Sequence, residues 1–491
     1  MSGPARGRRL TGCSSSPVTV TGGDARCSRK QGALENRASS PDDPRVATPV
    51  GPVSPTPSLA TVTRRVVLGQ MLFTAGHALS SGGFLYYFAN EFRPSAALFA
   101  LLQVMPEIAE TAGLFVRPLI RQVRSRKRVW MACLVLGRVA ALGVPAMAFP
   151  ELQPRGVDPF WIIVGCVGVW YACQGLSYIA YISWLSDLAP EHRWGRFFAS
   201  RQVGMLAVTL VATNAVALAR DRWLWGLPED SRDWSFVAIF VTGNALALAS
   251  ILPLLSLPDV AARTAASVLP TWTMLRTALA DRSYRFFVAQ GWWLACAQGL
   301  SQTALYKYQV DVLHLPISTY YAMTSLMLGL QLPLSFVAGR LSDHYGDRRP
   351  LLLTLLAISP ALLFWIAATP ETWWLLFAAY GLWGLFGIVN LCQQNLALRL
   401  APASDNTLQF ALFRQIGGLL AGLAGLGGGL WLDALLSEST TVSLGDSRLG
   451  PFQIVFAVSL LGRVTAPLWL LGVREESGKL KADSGGTDSQ D

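Results

Sequence analysis

Leu188-Ala189-Pro190 followed by Arg201-Gln202-Val203-Gly204, and Leu400-Ala401-Pro402 followed by Arg414-Gln415-Ile416-Gly417, are one phrase written twice, 212 and 213 residues apart. Leu79-Ser80 recurs as Leu300-Ser301, and Leu85-Tyr86 with Glu91 recurs as Leu305-Tyr306 with Asp311, at spacings of 221 and 220. One short match is easily accidental, but matches near one spacing, at corresponding places along the chain, mark a duplicated unit. Of the 491 residues, 52% are hydrophobic and 14% are charged, against about 25% charged in an ordinary soluble domain. Mean hydropathy is +0.39. A soluble fold of this size needs more charge to cover its surface, so the duplicated unit belongs to an integral membrane protein.

A run of about 20 apolar residues spans a bilayer. Twelve such runs are expected, at about 66–90, 95–117, 128–149, 158–186, 199–219 and 235–257, then 285–310, 317–341, 351–368, 372–398, 409–436 and 451–472. The fold class is therefore an all-α membrane protein, with twelve transmembrane helices in two pseudo-symmetric six-helix bundles at residues 61–257 and 285–473. Six is even, so both copies share one orientation, as in a parallel repeat about an axis along the membrane normal. Residues 1–60, rich in Ser, Pro, Gly and Arg, cannot bury enough apolar surface to order themselves. They read as a disordered cytoplasmic tail or an over-extended gene start. Residues 258–284 read as a polar interdomain linker and 474–491 as a second tail.

The Lys and Arg residues orient the bundle, because basic loops stay cytoplasmic. The side holding both tails and the even-numbered connections carries 31 of the 40 basic residues. Both termini are thus expected on the cytoplasmic side of an inner or plasma membrane. The net charge of +10 then reports topology, not nucleic-acid binding. The seven cysteines form no C-x-x-C or Cys/His cluster, which argues against a disulfide framework and a zinc site. No cofactor or metal is expected.

Between the eighth and ninth runs the sequence reads Gly339-Arg-Leu-Ser-Asp343-His-Tyr-Gly346-Asp-Arg348-Arg349-Pro350. This resembles the G-x-x-x-D-x-x-G-x-R-R signature of the major facilitator superfamily, at the place the family uses in its second half. The resemblance covers about residues 62–473 and implies secondary transport by alternating access, with solute held between the halves near mid-membrane. Gly339 is expected to let helices pack closely, and Gly346 to permit a tight turn. Arg348 and Arg349 would hold the cytoplasmic face. In the family the aspartate latches the cytoplasmic side, so Asp343 would face the start of the fifth span, with Arg201 as charge partner; the plainer reading is a local loop cap. The first-half counterpart, Gly113 to Ile120, departs from the pattern by placing Arg117 where the acid belongs. By pseudo-symmetry Arg117 would approach Arg414, so the first-half latch must differ or be missing. The glycine-rich eleventh run, Gly417 to Gly429, serves either tight packing or sliding.

An ionisable residue within a span costs about 2.5–3.5 kcal/mol on insertion scales and is a functional hypothesis. Glu107 and Glu110 share one helix face at i, i+3. The returning third span sets Arg138 level with Glu110, and a Glu110–Arg138 pair is expected. Glu107, then unpaired, is the first candidate for coupling H+ to solute, and His77 another, unless it is a hydrogen-bonded structural residue. Gln174, Gln298, Gln302, Asn390, Gln393 and Gln394 lie on spans that line the family's cavity, where they either bind solute or bridge helices. Lys307 is a further cavity candidate, or snorkels to the interface. Trp292, Trp293, Trp373, Trp374 and Tyr320 are expected in the interfacial aromatic belt.

A membrane-embedded enzyme would need H-E-x-x-H, G-x-S-x-G or an acid–histidine cluster, and a primary pump a Walker A loop; the chain has none. The expected partners are a small-molecule solute, H+ and the bilayer, with the protein a monomer. A non-transporting sensor on the same fold is the alternative.

Overall fold

The computed structural model describes residues 59–188, 194–224, 232–259, 276, 279–400, 406–444 and 447–474. The readings of 1–58, of most of the linker and of the last tail lie outside the described residues. So does the Arg117 side chain.

Apolar runs of this length satisfy their backbone groups as helices, and twelve form, several of them broken once. Helix α1 is Leu59–Ser80, continued after Ser81 by Gly82–Asn90. Helix α2 is Ala96–Glu110, drawn through a 3₁₀ turn at Thr111–Phe115 into Val116–Val123. Helices α3 (Arg126–Ala141, then Gly143–Ala146), α4 (Pro159–Leu188), α5 (Trp194–Leu224) and α6 (Arg232–Ala249, then Ile251–Leu255) complete the first half. The second half comprises α7 (Arg282–Lys307, ending in a wide π turn at Tyr308–Val312), α8 (Ile317–Tyr345) and α9 (Arg348–Ile358, then Ala361–Ala367). It is completed by α10 (Leu375–Trp383, then Phe386–Leu400), α11 (Asn406–Ser437) and α12 (Pro451–Thr465, then Ala466–Gly472). Strands β1 (Val442–Leu444) and β2 (Ser447–Leu449) pair as a hairpin between α11 and α12.

Nine of these helices, α3–α6 and α8–α12, are long and apolar enough to cross a membrane. The other three fall short by length or composition. Helices α1 and α7 carry polar groups along their length, Gln70 and His77 in one and Gln290, Gln298 and Gln302 in the other, while α2 is divided by its 3₁₀ turn and carries Glu107 and Glu110. All three contribute residues to the cavities described below.

Neighbours recur between halves. Helix α1 packs on α5 and α6 as α7 packs on α11 and α12, and α4 packs on α2 and α3 as α10 packs on α8 and α9. This fits the two-fold layout expected from the repeat. The halves meet along α2 against α11 and α5 against α8. Glycines set the first seam: a Cβ on Gly429 would fall 2.6 Å from the Ala96 carbonyl, and one on Gly422 2.8 Å from Val104. Such spacing is available only without a side chain, so Gly422 and Gly429 of α11 act in close packing.

Candidate functional site

The two ends of the bundle differ. At the end opposite the basic connections, hydrogen bonds tie the halves together. The Asp433 carboxylate of α11 accepts from Ala96 N (2.7 Å) and Ala97 N (2.8 Å) at the start of α2. The Asp221 carboxylate of α5 accepts from Ser318 N (2.9 Å) at the start of α8. Both acids therefore cap helix N-termini, where free N–H groups and the helix dipole favour negative charge. Asp221 and Asp433 are 212 residues apart, the spacing of the repeated phrase, and the helix starts they hold are repeat partners too. Asn90 donates to Asp311 at 2.8 Å, and Lys307 pairs with Asp311 at 3.0 Å while donating to the Pro94 carbonyl.

Beneath these bonds lies an aromatic plug. Tyr306 stacks on Phe99 at 5.2 Å and meets Tyr86 and Tyr87 edge-on; Phe84 lies 4.8 Å from Tyr321, and the Tyr321 hydroxyl accepts from Phe84 N. Each such aromatic pair contributes about 0.5–1.5 kcal/mol beyond its area burial. Below it Thr303 of α7 donates to Gln103 of α2 at 2.7 Å. Lys307 thus belongs to this closure rather than to the central cavity, because Asp311, one turn along α7, holds its ammonium. Tyr320 is likewise corrected: it contacts Tyr87, Tyr306 and Tyr321 and lines a cavity instead of sitting in the interfacial belt.

At the basic end a cavity of about 620 Å³ enters between the starts of α5 and α11, lined there by Arg201, Gln202, Arg414 and Gln415 and deeper in by Gln70, His77, Glu107, Glu110 and Gln174. The backbone explains how the acids come to line it. Gly113 and Gly175 bring α2 onto α4 so closely that a Cβ on Gly175 would lie 2.5 Å from the Glu110 carbonyl. Glu107 rests on Gly418, where a Cβ would fall 2.8 Å from its Oε2. Gln174, Glu107 and Arg414 line the same cavity as Glu110. Two carboxylates and two guanidinium groups thus share this lining.

The expected Glu110–Arg138 pair is not made. Arg138 is 1% exposed, turned instead toward α1. There Nη1 donates to Ser80 Oγ at 3.1 Å, Nη2 approaches His77 Nδ1 at 3.5 Å, and the guanidinium lies over Phe73 and Trp170. An arginine has no acceptor, so His77 Nδ1 accepts there, and the ring stacks on Phe73 at 5.8 Å. This geometry makes His77 a holder of Arg138.

In the signature segment, Gly346 has φ +74° and ends α8, a conformation that favours glycine. Gly339 does not act as expected: an added Cβ would meet nothing within 4 Å. Asp343 is exposed and has no partner among the described residues. Arg201 is buried away from it, donating from Nε to Gln70 Oε1 at 3.0 Å with its guanidinium over Tyr181. Asp343 and Arg201 therefore make no contact. The acid that the fold holds is Asp347, which the sequence reading passed over. It is fully buried, accepts from Ser342 and from Asn395 (3.1 Å), and pairs with Arg399 of α10 at 3.1 Å. Arg348 donates to the Leu470 carbonyl at 2.9 Å, bracing α9 on α12, and Arg349 is exposed.

A second cavity of about 520 Å³ lies mainly within the second half and is walled on the other side by Tyr86 and Gln103. Gln298, Gln302, Asn390 and Gln393 line it, whereas Gln174 lines the basic-end cavity and Gln394 lines neither. Gln393 donates to Gln290 at 3.1 Å. Aromatic walls come from Tyr306, Tyr320, Trp365, Tyr380 and Trp383, and Arg463 of α12 reaches it.

Helices in two six-membered halves, sealed together at one end and enclosing polar cavities within a multi-pass bundle, are the build of a membrane transporter rather than an enzyme. The model of the Major Facilitator Superfamily matches residues 66–426 and 294–488; the chain belongs to that family. Its fold is similar to the crystal structure of the nucleoside transporter NupG (TM-score 0.60, 14% identity, covering 85% of this chain and 99% of that one). It is also similar to that of a bacterial homologue of the iron transporter ferroportin in an inward-facing state (0.61, 15%, 85% and 100%). A D-xylose–proton symporter matches comparably (0.59, 16%, 86% and 99%). No curated protein matches its sequence.

Proposed function

We propose that the chain is a secondary transporter that moves a small polar solute across an inner or plasma membrane by alternating access, coupled to protons, as a monomer. The basic end is cytoplasmic, both termini lie there, and the conformation described is inward-facing. The observation that carries this reading is the asymmetry between the ends. Paired acid–helix latches and an aromatic plug join the halves at one end, while a cavity lined by ionisable groups enters at the other. Rocking the halves about the α2–α11 and α5–α8 seams would break the first set of contacts and bring Asp343 toward the start of α5. Proton coupling is assigned to Glu107 and Glu110, two carboxylates one turn apart beside Arg414, since a proton on either changes the charge balance of the lining.

Reconstituted protein tests this. Proteoliposomes with an imposed proton gradient should accumulate at least one solute from a chemically diverse panel, and collapsing the gradient should abolish accumulation. Solute movement that never exceeds equilibration, or that ignores the gradient, refutes the coupling.

A further inference from the structure

Each half buries an arginine against a repeat-related serine and tryptophan. Ser80 and Ser301 occupy equivalent places, as do Trp170 and Trp383, 221 and 213 residues apart. The arginines do not: Arg138 comes from α3 and Arg463 from α12. Arg138 is walled in by His77, Phe73 and Trp170. Arg463 has a different setting. It is 6% exposed, donates from Nη2 to Ser301 Oγ at 3.1 Å and from Nε to Ser459 Oγ at 3.3 Å, and lies 5.7 Å over Trp383. Among the described residues its remaining nitrogen, Nη1, has no hydrogen-bond partner and no carboxylate pairs with it, and Arg463 lines the second cavity.

Charge separates the two cavities. The basic-end cavity sets Glu107 and Glu110 against Arg201 and Arg414, whereas Arg463 is the one charged residue lining the second. A buried cation without a counter-charge is costly, and an anion that reaches it recovers that cost. Arginine is a donor only, so the missing partner is an acceptor.

We propose that this cavity is an organic-anion site. It takes a small solute with one carboxylate, received by Arg463 Nη1, and a ring or planar body laid against the Tyr306–Tyr320–Tyr380 walls between the amides of Gln298, Gln302 and Asn390. A volume of about 520 Å³ is in the usual range for such pockets, about 300–1,000 Å³. The inference rests on reading the chain as a transporter but is tested by binding alone.

Purified full-length protein is titrated with matched acid–amide pairs of equal shape: benzoate and benzamide, nicotinate and nicotinamide, indole-3-acetate and indole-3-acetamide. In wild type at least one acid binds about tenfold or more tightly than its amide, the scale of a single charge-assisted bond. Arg463→Gln reduces that preference to within about twofold while amide binding persists, which a merely bracing arginine would not produce. A wild type that does not discriminate in any pair, or a preference that survives Arg463→Gln, overturns the proposal. Should that variant fail to fold, Asn390→Cys on the cavity wall supplies the reading. Acids protect this thiol from alkylation and amides do not; equal protection, or none, overturns the site. Acid-selective binding without uptake of the same acid removes the transport reading and leaves the anion site standing. Uptake of neutral solutes without acid preference does the reverse.

Discussion

Removing the charge of Asp433 should unlock the closed end. Its two oxygens each accept a backbone N–H of α2, at 2.7 and 2.8 Å, and hydrogen bonds to a charged group contribute about 1.5–3 kcal/mol. Asp433→Asn keeps the shape and one acceptor oxygen but loses one bond and the interaction with the helix terminus, itself about 0.3–1 kcal/mol. The closed state should lose roughly 1.5–3 kcal/mol, and at 1.4 kcal/mol per factor of ten this raises the open population about 10- to 100-fold. Asp221→Asn removes a single bond and should act more weakly in the same direction. Gln309→Cys provides the assay, because Gln309 is buried at the closed end, two residues before Asp311, and bonds to Tyr380 within its own half. A membrane-impermeant maleimide, added only on the side of the closed end, should modify this thiol faster by the same factor in Asp433→Asn. An unchanged rate would refute the latch, since closure would then be carried by the aromatic plug alone.

Transport by Glu107→Gln should lose its pH dependence, measured as initial uptake between pH 5 and 8; a profile like that of wild type would remove Glu107 from the coupling. Asp343→Asn should slow transport without reducing the amount of protein inserted in the membrane, and unchanged uptake would leave Asp343 a loop cap. Asp347→Asn weakens the bonds that buried Asp347 makes with Asn395 and with the more exposed Arg399 and should cost about 1–3 kcal/mol, read as a lower melting temperature of the purified protein. Gly429→Ala sets a methyl against the Ala96 carbonyl and should destabilise the closed end by about 1–3 kcal/mol; equal melting and labelling would show that the seam yields.

Much of the fold was legible in the sequence, because apolar runs and basic connections follow from the demands of a bilayer on length and charge. The repeated phrase fixed where the halves correspond. The closed-end latches, Asp221 and Asp433, stand beyond it at the same spacing, but an acid near a loop looks solvated until the facing helix N-terminus is known. Asp347 was hidden for a related reason. The signature draws attention to Asp343, whereas burial of the acid four residues later depends on Asn395 and Arg399, contributed by α10. Arg138 was misassigned because depth along a helix does not give direction around it: the side chain turns to Ser80 on α1, away from Glu110 on α2. The likeness of the two arginine sites is invisible to self-comparison, because Arg138 and Arg463 come from helices that are not repeat partners.

The central claim is that one end opens as the other closes. Paired spin labels at Arg93 and Arg448 on the closed end, and at Arg121 and Arg340 on the basic end, measure both distances in one membrane sample, with and without Asp221→Asn and Asp433→Asn together. The account predicts that the first distance lengthens while the second shortens. Two distances that rise together, or one that moves while the other stays, would contradict it.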